Sequence, residues 1–170
     1  MFLAVLPDVA TAMRIHRLAI VLKRAHRFTG KLIQPERLHV SLFFLGGLHE
    51  DVSCAALEAI GIIRMPAFKV CFDLTASFGG RPGGRPFVLW GSDGLSEIKS
   101  FRRELAIELM RGGLSRQAST KFEPHITLMY DGRIVQEYPL AEPIAWTVSE
   151  IVLIRSKDGH TRLATWRLRA

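Results

Sequence analysis

The chain has 170 residues, 48% of them hydrophobic and 23% charged, the proportions of an ordinary globular protein. That composition excludes a disordered chain, a collagen and a coiled coil, and no apolar run approaches the roughly 18–20 residues that span a bilayer. Lysine and arginine outnumber aspartate and glutamate by 23 to 16, and the net charge of +7 favours anionic partners such as nucleic acids, nucleotides or acidic membrane surfaces.

The chain opens on an apolar run, Phe2 to Leu6, that reads as a buried strand and not as a signal peptide, since no basic residue precedes it. Cys54 and Cys71 are too few for a disulfide framework. Without an export signal they read as reduced thiols of a cytoplasmic protein. Asp8 is placed to cap a helix that runs to about Ala25, with apolar residues at Val9, Ala12, Ile15, Ala19 and Leu22. Arg14, Arg17, Lys23, Arg24 and Arg27 decorate this helix, either as a solvated face or as the basic rim of a groove.

A loop through Thr29-Gly30 and Gln34-Pro35-Glu36 leads to a strand from Leu38 to Leu45, ended by Gly46-Gly47. A short helix is expected from Asp51 or Ser53 to Ile63, and an alternating strand from Phe68 to Ser77. The Gly79–Pro86 segment is either a hairpin connection or a flexible basic flap with Arg81 and Arg85 as phosphate contacts. It is no P-loop, because a strand, Phe87 to Trp90, follows it where a helix is required. Ser92 or Asp93 is placed to cap a second long helix, carried by Leu95, Ile98, Phe101, Leu105 and Leu109 and stopped by Gly112-Gly113. Then come a strand from His125 to Tyr130 and two closing strands, about Trp146–Arg155 and Thr161–Leu168, joined at Lys157-Asp158-Gly159. The expected fold is mixed α+β with largely antiparallel pairing.

Two segments share one grammar. His39-Val40-Ser41-Leu42 and His125-Ile126-Thr127-Leu128 both read His, apolar, hydroxyl, apolar, about half a chain length apart. Each follows a helix and a loop with adjacent Pro and Glu, as an internal duplication would leave. With six histidines, two such matches arise in roughly 1% of random orderings of this composition. Side chains alternate along a strand, so each His shares a face with its hydroxyl residue while the apolar pair anchors the other face. Two facing imidazoles suit acid–base chemistry, one accepting a proton while the other donates. Hydroxyls add donors for a charged oxygen, and phosphoryl transfer gains most from such positioning.

These two motifs, with the opening Phe2–Pro7 run, Phe43-Phe44-Leu45-Gly46, Phe87–Trp90 and Phe122-Glu123-Pro124, resemble the 2H phosphoesterase superfamily, named for its paired His-x-Ser/Thr-x (HxTx) motifs. Within it the chain is similar to the RNA 2′,3′-cyclic phosphodiesterases, also called 2′-5′ RNA ligases. The resemblance implies one bilobal domain over residues 1–170, two pseudo-symmetric lobes of antiparallel sheet with helices outside and a central groove. It implies metal-independent opening of a 2′,3′-cyclic phosphate to a 2′-phosphate. With a 5′-hydroxyl in place of water, the same apparatus would join RNA ends through a 2′-5′ linkage. His39 and His125 would be the catalytic pair, His39 as acid and His125 as base, with Ser41 and Thr127 holding the phosphate. The family commonly has an Arg two places after the Leu of the second motif. Here Tyr130 stands there and Arg133 follows, so Tyr130, Arg133, Arg81 and Arg85 are candidates for substrate contacts.

No cofactor is expected, and neither His-x-x-x-His nor Cys-x-x-Cys is present to suggest a metal. Trp90, Trp146 and Trp166 read as core, and Cys54 and Cys71 as buried thiols with no nucleophilic role. The implied protein is a cytoplasmic monomer acting on RNA ends or nucleotides that carry a cyclic phosphate, with no membrane partner. Two other readings stay open: a phosphodiesterase for small cyclic nucleotides or ADP-ribose cyclic phosphate, and a non-catalytic RNA-binding module.

Overall fold

The computed structural model describes residues 1–46, 58, 60–61, 64–81, 84–118, 121–156 and 159–169. Strand β1 (Phe2–Val5) is buried at every position, which accounts for its unbroken apolar sequence. Asp8 then caps α1 (Val9–Ala25): one carboxylate oxygen accepts from the Thr11 amide at 2.9 Å and the other from its hydroxyl at 2.7 Å. Ala12, Ile15, Ala19 and Leu22 form the buried stripe of α1. Val9 departs from the expectation: it sits at the first helical position, beyond that stripe, and is 83% exposed.

The strands that follow are β2 (Val40–Phe44), β3 (Phe68–Ser77), β4 (Arg85–Trp90), β5 (Ile126–Asp131), β6 (Tyr138–Val148), β7 (Glu150–Arg155) and β8 (Thr161–Arg167). Helix α2 (Ser96–Arg111) and the short α3 (Ser115–Ala118) lie between β4 and β5. The eight strands form one sheet, in the order β6-β3-β4-β5-β2-β1-β7-β8. Every strand pairing among the described residues is antiparallel. The buried stripes of α1 and α2 join one core with Leu3, Val5, Val40, Leu42, Ile126 and Leu128 of the sheet. On the opposite face a smaller cluster gathers Phe2, Ala4, Val152 and Ile154.

Two four-stranded halves meet at β2 and β5, where Val40 pairs with Ile126. Beyond that pair a loop lies along β5: Leu32 bridges Met129, and the Ile33 amide donates to the Leu128 carbonyl at 2.8 Å. Helix α1 holds the same loop, with Lys23 Nζ 2.6 Å from the Gly30 carbonyl and His16 Nδ1 3.0 Å from that of Ile33. The basic face of α1 is thus turned partly towards this loop.

Four expectations need correction. The closing region holds three strands where two were expected, because β6 begins at Tyr138 and Ser149 separates it from β7. Pro139 and Pro143 hide β6 in the sequence, yet β6 is an edge strand, where a missing N–H is tolerated. Neither Ser92 nor Asp93 caps α2. The Ser92 amide and hydroxyl donate to Asp73 at 3.0 and 2.8 Å, and a 3₁₀ turn, Asp93–Leu95, enters the helix. That turn is pressed onto β3 so closely that a Cβ on Gly94 would lie 2.5 Å from the Cys71 Cβ. The alternation of β3 breaks after Phe72, where its register against β6 shifts and Thr75 and Ala76 turn inward. Finally, β2 starts at Val40, so His39 stands just before the strand.

Strands β3 and β4 on either side of the Gly79–Pro86 segment pair antiparallel, with the Phe78 amide donating to the Pro86 carbonyl at 2.9 Å, while residues 82–83 lie outside the described residues. Trp146 is buried and stacks on Phe72 at 5.1 Å, and Trp166 packs partly buried against the core. The helix expected between Asp51 and Ile63, with Cys54, lies outside the described residues apart from Glu58, Ile60 and Gly61, which are helical. Most of the Lys157-Asp158-Gly159 turn lies outside them too.

Asp131, only 5% exposed at the end of β5, secures the loop. Its carboxylate accepts from the amides of Arg133 at 2.9 Å, Gly30 at 2.7 Å and Thr29 at 2.7 Å. These bonds, that of Arg133 foremost, lower its pKa from 3.8 to about 2. A folded value below the unfolded one means stabilisation that is complete above about pH 4 and lost as pH falls towards 2. Asp131→Ala is expected to cost about 2–3 kcal/mol at neutral pH in urea denaturation, and to flatten the loss of stability between about pH 4 and 2. Gly30→Ala should also destabilise, because its Cβ would lie 2.0 Å from the Tyr130 carbonyl oxygen.

Candidate active site

Val40 and Ile126 are both 0% exposed and point into the helix-side core. Their sequence neighbours therefore turn to the other face. One step either side of this pair, the antiparallel register sets His39 against Thr127 and Ser41 against His125. All four motif residues line one cavity of about 320 Å³.

Each histidine is oriented by the same backbone device. His39 Nδ1 lies 2.7 Å from the Arg37 carbonyl, and His125 Nδ1 lies 2.7 Å from the Glu123 carbonyl. A carbonyl only accepts, so each Nδ1 carries a hydrogen and donates it. Each Nε2 is left to exchange protons. The residues two places before each His, in the Pro-containing loops, thus fix the tautomer of both imidazoles. An aromatic ring supports each: Phe2 stands 4.8 Å from His39, and Phe78 stands 5.1 Å from His125.

The cavity also collects residues that the motifs do not announce. His160, after β7, lines it and meets His39 edge-on at 5.2 Å, while Phe2 touches both rings. Sheet order brings it there: β7 pairs with β1 and β1 with β2, so the β7–β8 turn arrives beside the first motif. No local pattern around His160 carries that information. Arg37 and Tyr130 also line it, with Tyr130 53% exposed. Arg81, Arg85 and Arg133 are not among the described residues that line the cavity. Arg85 instead stands opposite Asp131 in the backbone register of β4 and β5, and the Arg133 carbonyl accepts from the Ser77 hydroxyl. Among the described residues, no group of three or more His, Cys, Asp or Glu is placed to hold a metal ion.

Burial is the main cause that lowers the His39 pKa below 6.5. The Arg37 carbonyl opposes it, and the charges of His160, His125 and Arg37 add to it. The His160 pKa is lowered too, by burial first and then by Arg37.

A family model described as the 2′-5′ RNA ligase superfamily matches residues 7–160. The chain belongs to that superfamily. Among proteins similar to it is the RNA 2′,3′-cyclic phosphodiesterase of Archaeoglobus fulgidus, 28% identical over 141 residues, which are 82% of this chain and 74% of the relative. Among solved structures, LigT of E. coli in its apo form is 27% identical with a TM-score of 0.74, over 99% of this chain and 96% of LigT. LigT has also been solved with 3′-AMP, and that structure is 25% identical with a TM-score of 0.74, over 98% and 96% of the two chains. The family model covers both motif strands, and the structural match to LigT extends over nearly the whole chain.

The contact between His160 and His39 gives a measurable consequence. His160→Phe keeps a ring in place and removes a charge that repels the His39 imidazolium. The His39 titration midpoint should then rise, read from the ring C–H signals by NMR. An unchanged midpoint would leave burial and the charges of His125 and Arg37 as the cause.

Proposed function

We propose that the protein opens 2′,3′-cyclic phosphates at RNA ends to 2′-phosphates, without a metal ion, using His39 and His125 as the acid–base pair. Ser41 and Thr127 donate hydrogen bonds to the phosphate oxygens. The observation that carries this reading is the single cavity shared by two imidazoles, each with its Nδ1 hydrogen committed to a carbonyl. The name of the Archaeoglobus fulgidus relative and the nucleotide complex of LigT support the same chemistry.

In the proposed step a water oxygen attacks phosphorus in line with the P–O3′ bond. His125 Nε2 takes the water proton, and the His39 imidazolium gives its proton to O3′ as that bond breaks. Phosphate stays on O2′, and the two histidines end with their protonation states exchanged. A 5′-hydroxyl attacking in place of water, in the same sense and with the same loss of O3′, would form a 2′-5′ linkage. In this reading one bilobal domain carries the site at its seam, as a cytoplasmic monomer. Among the described residues no helix is long and apolar enough to cross a membrane.

An oligoribonucleotide ending in a 2′,3′-cyclic phosphate, incubated with the protein and EDTA, should yield a 2′-phosphate resistant to a 3′-specific phosphatase. A 3′-phosphate would reverse the two histidine roles, and tight binding without turnover would make the protein an RNA-binding module. The pH profile tests the assignment separately. An acid works only while protonated, and the His39 pKa lies below 6.5 in the free protein. With His39 as acid, kcat/KM should fall as pH rises through that lowered value. A rise over the same interval would make His39 the base.

A further inference from the structure

Beside the histidine cavity lies a larger one, of about 630 Å³, that the two motifs do not account for. Its wall includes Lys23, Lys31, Gln34, Arg37 and Tyr130. Arg37, Tyr130 and Ile33 line both cavities, so the two adjoin along a shared wall. Three cations face this space and no carboxylate is among the described residues that line it. Lys23 is held there by its bond to the Gly30 carbonyl at 2.6 Å, and the loop that carries Lys31 is pinned by Asp131 and by the Leu128 carbonyl. Their positive charges are therefore set on a fixed frame, next to an exposed aromatic ring.

Cations tracking a backbone, with an aromatic ring beside them, are the recipe for holding a single strand of nucleic acid. A mononucleotide with a cyclic phosphate needs only the 320 Å³ cavity. We propose that the larger cavity binds the RNA chain upstream of the cyclic end, with Lys31, Lys23 and Arg37 facing its phosphodiesters. This inference rests on the cyclic phosphodiesterase reading and deepens it. It makes the substrate an oligonucleotide end and not a free nucleoside cyclic phosphate. The Gln34 amide offers a neutral donor and acceptor in the same wall.

The test compares kcat/KM for a nucleoside 2′,3′-cyclic phosphate with that for a six-nucleotide RNA bearing the same cyclic end. The hexamer should be favoured at least about tenfold, and its advantage should shrink as salt rises, because bound phosphates release counterions. Lys31→Gln should raise KM for the hexamer about threefold, lower its salt dependence and leave the mononucleotide unchanged. Mononucleotide turnover also reports that the variant is folded. Equal kcat/KM for the two substrates would overturn the inference and leave the cyclic phosphodiesterase reading standing, as would Lys31→Gln slowing both alike. Turnover of neither substrate by the parent protein would overturn both.

Discussion

The site depends on the backbone pairing of Val40 with Ile126, the point where the two halves of the sheet meet. This pair sets the register that puts both histidines and both hydroxyls on one face. A slip of one residue in either strand would turn that strand's polar pair into the core. Much of the surrounding structure holds the seam in place. Asp131 and α1 fix the loop that lies along β5. Arg102, buried in α2, donates to the Leu42 carbonyl at 3.0 Å, with its guanidinium 4.2 Å from the Phe43 ring and 4.7 Å from that of Phe122. It thereby ties the strand of the first motif to the approach of the second.

The seam also explains an asymmetry between two otherwise matched halves. Both histidines hold a carbonyl two residues back, and both rest on a phenylalanine. Among the described residues, His39 and not His125 has a further imidazole against its ring. Burial and that neighbour disfavour its charged form, so protonated His39 is a stronger acid than a free imidazolium. An anionic phosphate placed between the two rings, as proposed, would act in the opposite direction and favour a proton on His39. The same residues that shape the cavity thus set how readily its proton moves.

Much of this was legible in the sequence, for reasons that differ from element to element. The motif strands, α1 and its Asp8 cap follow from local periodicity, and repeated grammar half a chain apart gave the histidine pairs. The α+β antiparallel character follows from strands that succeed one another directly. Strand β6 was hidden because an edge position permits the prolines that argue against a strand. His160 and the Lys31 wall were hidden because their place depends on strand order, which no local pattern encodes. Arg102 looks like any helix-surface charge until β2 and Phe122 close over it. Tyr130 was legible as a substrate-contact candidate, and it lines both cavities.

The claim that matters most is that His39 and His125 act as one unit across the seam. Single-turnover rates for His39→Ala, His125→Ala and the double variant, on an oligoribonucleotide with a cyclic end, test it directly. Each single change should slow the step by roughly 10²–10⁴-fold, and the double change should cost little more than the worse single one. A double loss equal to the product of two modest single losses, or either single variant retaining the parent rate, would contradict a shared mechanism.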